Sequence, residues 1–89
     1  MVLIISYDLC APGRNYENLI KRIRQYGSWA KLGQSAFLIN TNYSPIQVRD
    51  NLMQVLDRND KLYVGVAPAP AAWSGMPNDV TQWIQSTQR

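Results

Sequence analysis

The run Val2-Leu3-Ile4-Ile5-Ser6-Tyr7 constrains this chain more than any other feature. It is β-branched and aromatic, it ends at Asp8, and Ala11-Pro12-Gly13 then breaks the pattern. Such a run reads as a buried strand followed by a loop. Side chains alternate across a strand, so Leu3, Ile5 and Tyr7 point one way while Val2, Ile4, Ser6 and Asp8 point the other. Neither set is polar enough to sit against water, and any sheet built on this strand needs cover on both faces. With 89 residues there is room for one domain in which to arrange that cover.

The remaining elements follow in a definite order. From Asn15 to Tyr26 the apolar positions Tyr16, Leu19, Ile20, Ile23 and Tyr26 fall at helical spacing, with Glu17 early, Lys21, Arg22 and Arg24 late, and Gly27 just past the end. An acid suits the positive helix N-terminus, bases suit the C-terminus, and Gly accepts the left-handed cap. Ser28 to Leu32 and Gln34 to Thr41, separated by Gly33, read as a β-hairpin. Ser44-Pro45-Ile46-Gln47 carries a capping hydroxyl, Pro at the first helical position and Gln three residues after the Ser. The helix that starts there turns Val48, Leu52, Val55 and Leu56 inward and ends before Asp57. Leu62 to Val66 forms the fourth strand, stopped by Pro68 and Pro70.

The order β-α-β-β-α-β over residues 1–67 predicts an α+β, ferredoxin-like fold with a four-stranded antiparallel sheet and both helices on one face. Residues 68–89 form a C-terminal extension: a Pro/Ala-rich segment, then a short helix capped by Asn78 or Asp79 and running through Val80, Trp83 and Ile84. The second sheet face is expected to be covered both by this extension and by another copy of the chain, with the homodimer contributing more.

Composition excludes several chemistries. The chain has no His and one Cys, so it cannot build a Cys-His or Ser-His pair, a zinc finger or an internal disulfide. Nine Lys and Arg against six Asp and Glu give +3, compatible with nucleic acid and common in domains that bind none. Asn and Gln together number fourteen, so amides outnumber acids on the surface. The apolar run at residues 2–5 is too short for a signal peptide or a membrane span, and the expectation is a cytoplasmic protein with no membrane contact.

Asp8, at the end of an apolar strand, is the leading candidate for chemistry. It is either one ligand of a magnesium ion, the second being Asp8 of a partner copy, or a cap for the loop around Gly13, accepting backbone N–H bonds or pairing with Arg14. Arg14, Lys21, Arg22, Arg24 and Lys31 form a basic group that either meets phosphates or, for the helical members, answers the helix dipole. Tyr16 and Tyr26 read as core. Cys10, with no His to activate it, reads as a structural or incidental thiol. Ser6, Tyr7 and Ser35 are secondary candidates for positioning a water or a phosphate oxygen. The isolated Gly13 makes no phosphate-binding pattern.

Three short motifs in this order and spacing, Ile5-Ser6-Tyr7-Asp8 closing the first strand, Tyr26-Gly27 ending the first helix and Gln34-Ser35-Ala36-Phe37 opening a strand, resemble the small CRISPR-associated adaptation proteins called Cas two. Their relatives, the virulence-associated D toxins and the short SinR-like proteins, share the likeness, which covers about residues 2 to 67. The chain departs from the family pattern after Asp8, where Cys10-Ala11-Pro12-Gly13-Arg14 holds one Arg in place of an Arg pair. The resemblance implies a ferredoxin-like homodimer in which the two Asp8 carboxylates face each other across a cleft that takes magnesium, with Ser35 and Phe37 lining or supporting it. It further implies a nucleic-acid-associated protein acting as a magnesium-dependent endonuclease; in that mechanism Arg14 or Lys31, from the basic group, is the expected holder of the nucleic-acid backbone. The alternatives are a toxin-like ribonuclease and a non-catalytic module that binds nucleic acid or a protein partner.

Overall fold

The computed structural model of the chain describes residues 1–10 and 16–87. Seven elements follow one another: β1 Val2–Asp8, α1 Glu17–Arg24, β2 Ser28–Gly33, β3 Ala36–Asn40, α2 Pro45–Met53, β4 Lys61–Val66 and α3 Asn78–Thr87. The strands form one antiparallel sheet in the order β2-β3-β1-β4, with β1 central. This α+β architecture is consistent with the ferredoxin-like expectation.

Cover on both faces, demanded by β1, is what the fold supplies. On one side Leu3, Ile5 and Tyr7 of β1, with Phe37 and Ile39 of β3, pack against Leu19 and Ile23 of α1 and Val48 and Leu52 of α2. On the other side Val2, Ala30 and Leu38 pack against Val80 and Ile84 of α3, flanked by Trp73, Met76 and Trp83. One indole hydrogen bond ties the C-terminal segment to the sheet, Trp83 Nε1 donating to Ser28 Oγ at 3.2 Å, and a second, Trp73 Nε1 to Thr81 Oγ1 at 3.1 Å, braces the segment internally. Cover by the extension is thus present over β2, β3 and the start of β1, whereas Ser6, Asp8, Lys61 and Tyr63 stay exposed.

Local signals set the helix limits. Gly27, at φ 89°, closes α1 in the left-handed region, and its N–H donates to Arg24 O at 3.0 Å. At α2, Gln47 N–H donates to Ser44 Oγ at 3.2 Å and Ser44 N–H to Gln47 Oε1 at 2.9 Å, the reciprocal capping box that the sequence encodes. Helix α2 stops at Met53, three residues before the expected end, while Val55 and Leu56 still pack against the helix-side core.

One boundary moves with consequences. Gln34 and Ser35, read from the sequence as the opening of a strand, form the turn of the hairpin, because the register shifts between Lys31 and Gly33 and pairs Gly33 with Ala36. That turn is tied to β1: Tyr7 N–H donates to Ser35 O at 3.0 Å and Tyr7 Oη to Gln34 O at 3.2 Å. No helix among the described residues is long and apolar enough to cross a membrane.

Candidate functional site

Strands β1 and β4 run antiparallel, so the end of one lies beside the start of the other. Asp8 stands opposite Lys61, and Ser6 opposite Tyr63. Residues paired in this way project from the same face, here the face that α3 covers elsewhere. All four side chains are exposed. With Tyr7 and Leu62 they line a shallow depression of about 180 Å³. The Tyr63 ring lies back along its own strand: a Cβ at Gly65 would stand 2.9 Å from its Cε1 and Oη atoms. Gly65 therefore leaves the room in which this ring rests against the sheet.

The other residues singled out from the sequence are distributed unevenly about this depression. Ser35, in the hairpin turn and hydrogen-bonded through its carbonyl to Tyr7, lies at the same end of the sheet as Asp8. Phe37 pairs with Ile5 and is wholly buried in the helix-side core, edge-on to Trp29 with centroids 5.9 Å apart. Its side chain cannot line a cleft with Asp8, because the two project from opposite faces, and it supports the strand from behind. Lys31 pairs with Phe37 and so shares the helix-side face, on the strand farthest from β4. The fold does not bring Lys31 and Asp8 together. Arg14 lies outside the described residues.

The helical cations divide as well. Arg22 Nη1 donates to Asn51 Oδ1 at 2.7 Å, to Asn51 O at 3.1 Å and to Gln54 Oε1 at 3.0 Å, which makes it a clamp between α1 and α2. The Arg24 guanidinium lies 4.8 Å from the centre of the Trp29 ring, a cation–π distance. Lys21 and Lys31 are exposed. Sequence reasoning missed Lys61 and Tyr63, although a signal existed: the expected strand order already sets the start of β4 beside the end of β1.

Just beyond β1, the Asp60 carboxylate accepts from Cys10 N–H at 3.0 Å and from Asp57 N–H at 2.9 Å, joining the exit of β1 to the turn before β4. A hydrogen bond to this carboxylate, together with some burial and the charges of Asp60 and Asp57, pushes the Cys10 thiol above its ordinary range. The shift favours the protonated form of this exposed thiol, the opposite of what a nucleophile needs. Burial likewise pushes the Tyr7 phenol up.

Chemically, the depression offers one carboxylate, one ammonium, a hydroxyl and an aromatic ring. A magnesium ion keeps several waters and takes one or two carboxylates, so Asp8 fits as one of its ligands, and among the described residues the depression is lined by that one carboxylate. Among the described residues no group of three His, Cys, Asp or Glu side chains is placed to hold a metal. Compared with models of known families and with curated proteins, the chain matches none.

Proposed function

We propose that this chain is a Cas-two-like, ferredoxin-like protein that works as a homodimer on nucleic acid, with phosphodiester hydrolysis at the paired Asp8 carboxylates of two copies. The observation that carries the reading is the position of Asp8: exposed, at the end of the central strand, on the part of the sheet that the chain's own extension leaves uncovered. A second copy seated on this uncovered end of the sheet would supply the second carboxylate.

The residues present define their own roles. Asp8 would hold a magnesium ion through carboxylate oxygens, and the ion when bound lowers the pKa of a coordinated water and neutralises charge on the phosphate. Lys61, beside Asp8, is placed to receive a non-bridging phosphate oxygen, in the role that sequence reasoning gave to Arg14 or Lys31. Tyr63 presents a ring on which a base or sugar can rest, and Ser6 adds a hydroxyl donor on the same face.

A second reading has its own support. Lys61 stands next to Asp8 and suits a phosphate contact that needs no metal, as in a non-catalytic binding or assembly module. One experiment separates the two. Purified protein is incubated with single- and double-stranded DNA and with RNA, in magnesium and in chelator, beside Asp8→Asn, with the mass of each species measured in solution. Cleavage that chelator and Asp8→Asn both abolish, in a dimer, is expected. Full chelator-sensitive cleavage by Asp8→Asn overturns the assignment, and binding without cleavage in every condition selects the module.

A further inference from the structure

On the opposite side of the molecule, between α1, the loop after β3 and α2, lies an open cleft of about 400 Å³. That volume lies within the range of small-ligand sites. We infer that this cleft takes a nucleobase, stacked on Tyr43 and read at its edge by amide side chains. The inference goes beyond the Asp8 reading and does not depend on it, because the cleft opens on the helix side of the sheet and needs neither a metal nor a second copy.

The aromatic geometry of the cleft suits a planar ligand. Tyr43 is 56% exposed although it is a large ring in the wall of a cleft. It meets Tyr26 at 6.0 Å between centroids and 75° between planes, so the two rings form a corner. A planar ligand against one ring turns its edge toward the other. A proline-rich peptide needs two aromatic faces side by side, which this corner does not offer. Tyr43 is also held in place before any ligand arrives: its N–H donates to Thr41 Oγ1 at 3.2 Å, and it directly precedes Ser44, fixed by the capping box. Pre-organisation of this kind removes part of the ordering cost of binding.

The polar lining is dominated by amides. Gln25, Gln47 and Asn51 contribute amides, Arg22 the cation, and among the described residues no carboxylate lines the cleft. Asn51 is spent inside the fold, donating from Nδ2 to Tyr26 Oη at 2.8 Å and accepting from Arg22. Gln47 accepts from Ser44 through Oε1, which leaves its Nε2 donors directed away from the cap, and the Gln25 side chain is exposed. Gln25 with both donor and acceptor, and Gln47 with donors, match the edge of a base, which offers both, whereas a simple anion would use only the donors. The same chemistry is available from a free nucleotide and from an unpaired base in a strand.

The test is a titration of the ¹⁵N-labelled full chain followed by amide chemical shifts, with three probes: AMP, ribose 5-phosphate and a short oligodeoxyadenylate. Shifts at Gln25, Tyr43, Gln47 and Asn51 with AMP but not with ribose 5-phosphate are expected. Tyr43→Ala should weaken binding at least about fivefold, the low end of what one base–aromatic stack contributes, and Tyr43→Phe should restore it because the ring remains. Shifts with the oligonucleotide, with or without AMP, assign the site to a strand; shifts with AMP alone assign it to a free nucleotide. The inference is overturned if ribose 5-phosphate reproduces the shifts, if neither base-bearing probe produces them, or if folded Tyr43→Ala binds like the parent chain.

Discussion

Asp8 and Lys61 face each other across two neighbouring antiparallel strands, at the end of the sheet that α3 does not reach. The pair sets an anion and a cation side by side on a surface proposed to meet phosphate, and the two residues should act in opposite directions. Without divalent metal, Asp8→Asn removes a charge that repels phosphate and is expected to tighten binding of a labelled oligonucleotide. Lys61→Ala is expected to weaken it and to lower the salt dependence by about one counterion. Fluorescence anisotropy at several salt concentrations measures both. If neither substitution changes affinity, nucleic acid does not meet this end of the sheet.

Arg22 illustrates a cation whose role is internal. It reaches 29 residues along the chain to the backbone and side chain of Asn51, and Asn51 in turn donates to Tyr26. Arg22→Met keeps the aliphatic stem and removes the hydrogen bonds, so its cost isolates the clamp. For a partly exposed charged donor we expect about 1–2 kcal/mol, below or within the usual range for bonds to charged groups. The urea unfolding midpoint reports it, with an unchanged slope showing that compactness is preserved.

This contact also marks the limit of what could be read beforehand. The two-faced character of Val2 to Asp8 foretold a sheet covered on both sides, and Gly27 and the Ser44–Gln47 box announced their caps, because each is decided by neighbours within a few residues. Arg22 was legible as a helix-terminal base but not as a clamp, since no local pattern encodes a partner on another helix. The turn at Gln34 and Ser35 was missed because Gly33 looked like its centre; a register shift moved the turn two residues on. The resemblance implies that Phe37 lines or supports the cleft; its pairing with Ile5 turns it into the helix-side core and leaves it only the supporting role. For the candidate site, Asp8 was legible as a strand end, and Lys61 and Tyr63 emerge only when the strands are laid side by side.

The two hydrophobic cores lie on opposite sides of one sheet and share no residue. Leu52→Ala on the helix side and Ile84→Ala on the extension side are each expected to cost about 2–5 kcal/mol. Because the sheet separates the sites, the costs should add to within about 0.5 kcal/mol in the double variant. Chemical denaturation of the four proteins closes the cycle. A large coupling energy would show that α3 and the helix layer communicate through the sheet.

Cys10 provides a reactivity prediction whose sign follows from the Asp60 contact. The carboxylate accepts a hydrogen bond from the thiol and repels a thiolate, so it favours the protonated form and pushes the titration upward. Alkylation requires the thiolate. In metal-free buffer, iodoacetamide should therefore modify the parent chain slowly at neutral pH, with the rate rising only at more alkaline pH than for an unstructured cysteine peptide. Asp60→Asn removes the charge while keeping an oxygen that can accept from Cys10 N–H, and the rate profile should move toward lower pH. Mass spectrometry of the singly alkylated chain across a pH series gives the profile for both. An unchanged profile in a folded Asp60→Asn variant would mean that the carboxylate does not control the thiol, and that the contact between Asp60 and Cys10 serves only to fix the backbone where β1 ends.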